Sequence, residues 1–261
     1  MEKIAIISDI HGNEIALRAV LNDIKCKNIK NIICLGDIVL KNPNPHQCLE
    51  LIRQCCSIIL KGNTDNCVAT LNEAKLEHIW TNQQLTEEEI DFLNNLPISY
   101  EMYISGHLIR FFHSSPTKLN NIMNISNNKL STIPYSEMFQ NTEFINKSHN
   151  NEEPDIVVYG HTHTSGTAHY GNKQLVNVGA VGCTVELLNH DKTDIKNKLT
   201  TMANYCIIEG NINDKTLGSL SISFIKVPYS IKEQTIILQN SDMPNKENAI
   251  TEITTGIYEK R

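Results

Sequence analysis

The chain has 261 residues, 40% hydrophobic and 20% charged, a composition that excludes disorder as the dominant state and suffices for a core that stands without staples. A formal net charge of −6 supplies no basic footprint for a phosphate backbone, which argues against long nucleic acid as a partner and leaves small phosphorylated substrates open. No apolar run approaches a membrane span, and Met1 leads into a strand-like segment without a basic start or a small-residue cleavage site, so no membrane partner is expected and the expected compartment is the cytoplasm.

Taken in order, Ile4-Ala5-Ile6-Ile7-Ser8 reads as a buried strand running into Asp9 and His11. Asn13 can cap a helix over about 14–25, in which Ile15, Ala19, Val20 and Ile24 supply the apolar positions. The run 32–36 ends on Asp37, and a turn at Pro43 and Pro45 leads into a helix over about 46–54 and then the strand 58–62 into Asn63. Two strand–helix–strand units in succession predict three parallel strands.

Residues 66–96 are polar with a helical pattern, and Thr86 with Glu89 forms a capping signature, so a helical insert or small cap is expected there. The runs 100–104 and 108–113 flank Ser105-Gly106-His107 and predict a hairpin whose second strand runs into His113. The Asn-, Ser- and Thr-rich stretch 115–153 reads as a mobile, lid-like excursion. Strands follow at 156–160, running into His161 and His163, and at 174–178, 203–209 and 220–227, which are expected to form a second, mostly antiparallel sheet. The main domain is placed at 1–245, and 246–261 reads as a polar C-terminal tail that frays. The eight cysteines include the neighbours Cys55 and Cys56 but no Cys-x-x-Cys pair, and read as reduced, buried thiols.

Five apolar runs thus end on residues that can bind a metal: Asp9, His11, Asp37, Asn63, His113, His161 and His163. Buried strands deliver side chains to the rim where they stop, so these seven can converge. Asp9 and His11, like His161 and His163, stand at i and i+2, which in extended backbone point to one side. Asp37 has two oxygens and can serve two ions about 3.5–4 Å apart. Two divalent ions against two carboxylates leave a charge of about +2, which suits a phosphoryl group and acidifies water. Oxygen and imidazole donors without thiolate suit Mn, with Fe, Zn, Co or Ni as alternatives. The other histidines, His46, His78, His107, His149, His169 and His190, lack such context.

The series Asp9-x-His11, Gly36-Asp37, Gly62-Asn63-x-Asp65, His113 and Gly160-His161-x-His163 resembles the signature of the calcineurin-like metallophosphoesterases over about residues 3–182, in its Gly-Asn-x-Asp version the bacterial and archaeal phosphodiesterase-like branch. The resemblance implies an α/β fold, a two-sheet β-sandwich flanked by helices. It also implies two divalent metal ions, one held by Asp9, His11, Asp37 and His163 and the other by Asp37, Asn63, His113 and His161. The implied reaction is hydrolysis of phosphoesters by a hydroxide between the ions. Where many relatives place a His after the Asn, this chain has Thr64, and Asp65 is expected to hold His11 or another ligand, or to cap the following helix. Asp65 and His11 are the catalytic candidates. Asn63 and Gly179 are the candidate substrate contacts, Gly179 because the 177–182 turn resembles a family turn whose amides could approach a phosphate. Cys183 beside this turn reads as packing.

The insert and the excursion leave the strand ends that carry Asn63 and His113, so both could overhang the site. Trp80 could stack on a base there or pack between helices. The leading functional expectation is a phosphodiesterase on small organic phosphates, with nucleotides or dinucleoside polyphosphates as candidates. The alternatives are a serine/threonine phosphoprotein phosphatase or phosphomonoesterase and, from another class, a non-catalytic scaffold.

Overall fold

The computed structural model describes residues 1–72, 74–123, 133–145, 152–187, 197–199 and 202–255. In its first half, β1 (Glu2–Ile7), α1 (Glu14–Cys26), β2 (Asn31–Cys34), α2 (Pro45–Cys55) and β3 (Ile58–Ile59) make the two expected crossover units, with β1, β2 and β3 parallel. The Asn13 side chain caps α1 by accepting from the Ala16 amide. Three short helices follow, α3 (Asn63–Thr70), α4 (Leu76–Gln83) and α5 (Glu87–Asn94), the last begun by the Thr86–Glu89 capping box. A hairpin of β4 (Ser99–Ile104) and β5 (His107–Phe112) turns on Ser105 and Gly106, both at positive φ, as a two-residue turn between twisted strands requires.

After a single 3-10 turn (Tyr135–Phe139) come β6 (Ile156–Tyr159), β7 (Gly166–Tyr170), β8 (Lys173–Asn177), a two-stranded ribbon of β9 (Val185–Leu187) and β10 (Asn197–Leu199), β11 (Met202–Gly210) and β12 (Ser221–Pro228). The chain then forms α6 (Ile231–Asn240) and α7 (Lys246–Thr255).

Two mixed five-stranded sheets result, ordered β12-β11-β1-β2-β3 and β4-β5-β6-β8-β7. Two expectations change. The strands placed at 203–209 and 220–227 do not join the second sheet; β11 pairs antiparallel with β1 and extends the first. The second sheet has a parallel centre, β5-β6-β8, flanked by antiparallel β4 and β7.

The sheets pack face to face. Ile4, Ile6, Ile33 and Leu35 from one meet Ile109, Phe111, Val158 and Val176 from the other, and each fully buried aliphatic side chain contributes about 1.5–3 kcal/mol. Along β1 the alternate residues Ala5 and Ile7 face outward into a second core beneath α1 and α2, so the strand is buried on both sides and shows no polar alternation.

The second sheet's outer face is covered by the described part of the 115–153 stretch: Met123, Met138 and Phe139 pack on Phe112, Val157, Tyr159 and Leu175. Arg110 on β5 pins that layer. Fully buried, it bonds Glu101 Oε1 at 2.5 Å through Nε and donates through Nη1 to Gln140 O at 2.9 Å and through Nη2 to Asn141 Oδ1 at 2.5 Å. The described part of this stretch is a packed layer on the face away from the partner sheet.

The stretch expected to fray carries α7, whose Ala249 packs with Leu238 of α6, Met243 and Trp80 of α4. The Trp80 indole N–H donates to Asp242 Oδ1 at 3.1 Å, so Trp80 joins the insert to the C-terminal helices by packing. All eight cysteines are free; Cys34, Cys48 and Cys206 are buried as expected, whereas Cys26 and Cys55 are exposed. No helix among the described residues is long and apolar enough to cross a membrane.

Candidate metal centre

The seven expected ligands come together where strands of both sheets end, in two adjoining groups. Asp9, His11 and His163 form one and Asp37, His113 and His161 the other, with the ligand atoms of each within 4.8 Å of one another. Asn63 joins the second group, its Oδ1 lying 3.0 Å from His113 Nε2. Asp37 stands between them: Oδ2 is 3.6 Å from His11 Nε2, and Oδ1 is 3.4 Å from His113 Nε2.

The expected extended backbone at the i, i+2 pairs is not what aims these side chains. Asp9, His11, Asp37, His161 and His163 all have positive φ, between 51° and 65°. Left-handed backbone at non-glycine residues is costly and persists only where the surroundings impose it. Here they do: the amides of Asp9 and His11 donate to the carbonyls of Gly36 and Asp37, and the His161 amide donates to Asp9 Oδ2 at 2.9 Å.

Asp65 ties two of these loops together. Its Oδ2 accepts from the amides of Asp37 at 2.8 Å and Gly62 at 2.9 Å, and its Oδ1 from Ile38 at 2.9 Å and Val39 at 3.3 Å. It therefore caps α3 and holds the Asp37 loop with one carboxylate. Buried, with both oxygens engaged by backbone amides, Asp65 braces the Asp37 loop. The Thr64 amide donates to Asp37 Oδ1 at 2.8 Å, while its hydroxyl turns away to Val39 O at 3.1 Å.

The Gly179 amide donates to Asn177 Oδ1 at 2.9 Å. The turn is scaffolding: the amides of Val181 and Gly182 donate to the carbonyls of Ser8 and Asp9, and Asn177 Nδ2 donates to Gly160 O at 2.7 Å. Gly182 passes so close to the Asp9–His11 loop that a Cβ would lie 1.9 Å from Ile10 O.

The imidazoles are oriented from behind. His113 Nδ1 bonds Leu35 O at 3.1 Å and His163 Nδ1 bonds Cys183 O at 2.8 Å, which leaves each Nε2 for the centre. Burial acts to lower His113, but the Asp37 carboxylate overrides it and lifts the imidazole to about 9. Burial and the Lys41 charge act to lower His163, and Asp9 overrides them to the same value of about 9. Burial and then the His113 charge push His161 down to about 4. Burial would raise the Asp9 and Asp37 carboxyls; the imidazoles facing them hold both below the usual carboxylate range.

Lys41 is a residue that motif reading passes over. It follows Asp37 by four positions in a loop that is left-handed at Leu40 and Lys41, φ 76° and 70°, and its charge reaches His11 and His163. His46, outside the centre, bonds Glu89 Oε1 at 2.8 Å; His149 and His190 lie outside the described residues.

The donor set fits two divalent ions. Asp9 Oδ1 lies buried 3.2 Å from His163 Nε2, and His163 Nε2 faces His11 Nε2 at 3.0 Å, an approach of donor atoms that needs a cation or proton between them.

A family model described as the calcineurin-like phosphoesterase superfamily domain matches residues 2–193. An uncharacterized protein, MJ0912, of Methanocaldococcus jannaschii is 31% identical over 246 residues, which span 88% of this chain and 89% of that protein. Among solved structures, a metallophosphoesterase from Sphaerobacter thermophilus aligns with a TM-score of 0.67 and 23% identity over 98% of this chain and 99% of its own. The hypothetical protein PH1004 from Pyrococcus horikoshii OT3 aligns with a TM-score of 0.71 and 18% identity over 97% and 98%.

Proposed function

The chain belongs to the calcineurin-like phosphoesterase superfamily, and on that premise we propose that it is a dinuclear metal-dependent phosphodiesterase acting on small organic phosphates, with nucleotides and dinucleoside polyphosphates as candidate substrates. The observation that carries this reading is the burial of the centre. Asp9, His11 and His113 are 0% exposed and Asp37 2%, with Asn63 and His161 half-buried, so a substrate meets the centre on the side of Asn63 and His161 and a slender phosphoryl group suits it.

Asp9, His11, Asp37 and His163 would hold one ion and Asp37, Asn63, His113 and His161 the other, with Mn²⁺ as the proposed metal. When bound, two such ions acidify water and offset the negative charge that builds on phosphorus. The residues of the chain supply position. Asp37 sets the distance between the two groups, the carbonyls of Leu35 and Cys183 fix the tautomers of His113 and His163, and Asp65 holds the Asp37 loop. Asn63, half-buried, keeps an amide N–H for a phosphoryl oxygen. Lys41 adds a positive charge at the same rim. The proposed compartment is the cytoplasm.

The test is to strip the metal, restore Mn²⁺, and compare an aryl phosphodiester with the matching monoester, using Asp37→Asn as control. Faster diester cleavage, lost in the variant, supports the proposal. Monoester preference moves the reading to a phosphatase, and no metal-dependent turnover of either moves it to a scaffold.

A further inference from the structure

Gln234 lies outside the stretch matched by the family model, on α6, yet it is connected to the backbone of a metal ligand. It is 0% exposed, and its Nε2 donates to Asn42 Oδ1 at 3.0 Å. Asn42, 4% exposed, in turn donates through Nδ2 to the main-chain carbonyl of His11 at 3.0 Å. Two amide side chains therefore run in series from the C-terminal helix to a residue of the Asp9–His11–His163 group.

The backbone at the receiving end is one that needs holding. His11 and Gly12 have φ of 51° and 67°, and on the facing loop Leu40 and Lys41 have φ of 76° and 70°. Each left-handed non-glycine residue costs about 1–2 kcal/mol, so this pair of loops stays folded together only through its cross-bonds. The loops touch without spare room, since a Cβ on Gly12 would lie 2.5 Å from Asn42 O. At the far end, α6 is fixed independently of the centre: Ser230 caps it, and its Leu238 packs with Met243, Ala249 and Trp80. The second ligand group has other supports, namely Asp65, Thr64 and the Leu35 carbonyl.

We infer that Gln234 is a positioning residue which, through Asn42, fixes the His11 backbone and makes binding of one of the two ions depend on the C-terminal helical hairpin. The inference rests on the metallophosphoesterase reading for the presence of two ions and goes beyond it in assigning a residue outside the matched family domain to their placement. Without the Gln234 amide, Asn42 Oδ1 becomes a buried acceptor lacking its donor and the side chain turns to find another, releasing the His11 carbonyl. Residues behind a metal ligand commonly matter by 10–100-fold in affinity, and this is the range expected here.

The experiment titrates the full metal-free chain with Mn²⁺ alone by calorimetry. Gln234→Met keeps the length and removes the donor; Gln234→Leu removes it with a branched apolar side chain of similar bulk. The expected result is that the parent binds two ions and that either variant weakens one of them at least tenfold while the other changes less than twofold. In an Asn42→Ala background, Gln234→Met should add nothing further, because the path is already cut. Far-ultraviolet circular dichroism of the metal-free variants reports that they fold. Equal weakening of both ions, unchanged binding in a folded variant, or a full additional effect in the Asn42→Ala background would overturn the inference. A parent that binds fewer than two ions would overturn the metal reading along with it, an outcome distinguishable from a parent that binds two with indifferent variants.

Discussion

Asp65→Asn isolates the link between two loops. The carboxylate accepts four main-chain N–H groups, two at each oxygen. An asparagine keeps one oxygen and turns an NH₂ toward the other two donors, and two buried donors left without acceptors cost about 2–6 kcal/mol. Part of this is returned in the metal-free protein. Burial, and then the neighbouring Asp37 charge, raise Asp65 from 3.8 to about 6, so removing the charge relieves about 3 kcal/mol. With two cations bound beside Asp37 the part of that relief owed to the Asp37 charge is offset, while the part owed to burial stays. Metal-free Asp65→Asn should therefore melt within a few degrees of the parent, whereas the metal-loaded variant should fall further below its own parent. Because Asp65 stands behind the Asp37 loop, metal affinity should fall about 10–100-fold. Competition with a chelating dye for Mn²⁺, paired with melting of both forms, measures it. An Asp65→Asn protein that binds Mn²⁺ within twofold of the parent and melts like it in both forms would refute the reasoning.

Three further outcomes are expected. In the metal-free protein His113 and His163, held at about 9 by Asp37 and Asp9 against their burial, carry protons at pH 7, while ligation requires them neutral; binding should therefore release protons, and affinity should rise with pH until about 9 and then level off. Calorimetry in buffers of different ionisation enthalpy counts those protons, and none released would contradict the assignment. Gly160→Ala places a Cβ 2.2 Å from Ser8 Oγ and 2.5 Å from Asp9 Oδ2, so it should displace Asp9, cost about 1–3 kcal/mol and weaken Mn²⁺ more than tenfold in the same titration. Arg110→Met leaves the Glu101 carboxylate buried opposite a thioether and should cost about 3–5 kcal/mol. Its melting point should fall, limited proteolysis should open within residues 133–145, and adding Glu101→Met should recover part of the loss.

The ligands are legible in the sequence because each stands at the end of an apolar run, and strand ends are where a sheet presents side chains. The caps are legible for a similar reason: Asn13 and Thr86 each offer an oxygen to amides that a helix start leaves open. Other features carry no local signal. Whether β11 joins the first or the second sheet depends on pairing with β1 some two hundred residues earlier, and an apolar run announces burial without naming its neighbour. β7 is an edge strand with mostly exposed residues, so its sequence lacks alternation, and α7 is polar because only a few side chains such as Ala249 pack. The left-handed backbone at Asp9, His11, Asp37, His161 and His163 is not announced by residue types that, although they tolerate it better than most, mostly sit elsewhere. Asn42 and Gln234 belong to no motif at all, and only the folded chain sets them in line.

Each group of ligands draws on both sheets: Asp9 and His11 follow β1 of the first while His163 follows β6 of the second, and Asp37 follows β2 while His113 and His161 follow β5 and β6. An ion in either place is thus a rivet through the sandwich, clasping residues as far apart in the chain as His11 and His163, 152 positions. Unlike a covalent clasp, it favours the folded chain by binding it and not the unfolded one. Because the unfolded chain cannot assemble such a set, the melting temperature should climb with the logarithm of free metal once the sites are filled, and chelation should loosen the seam between the sheets before it touches either sheet.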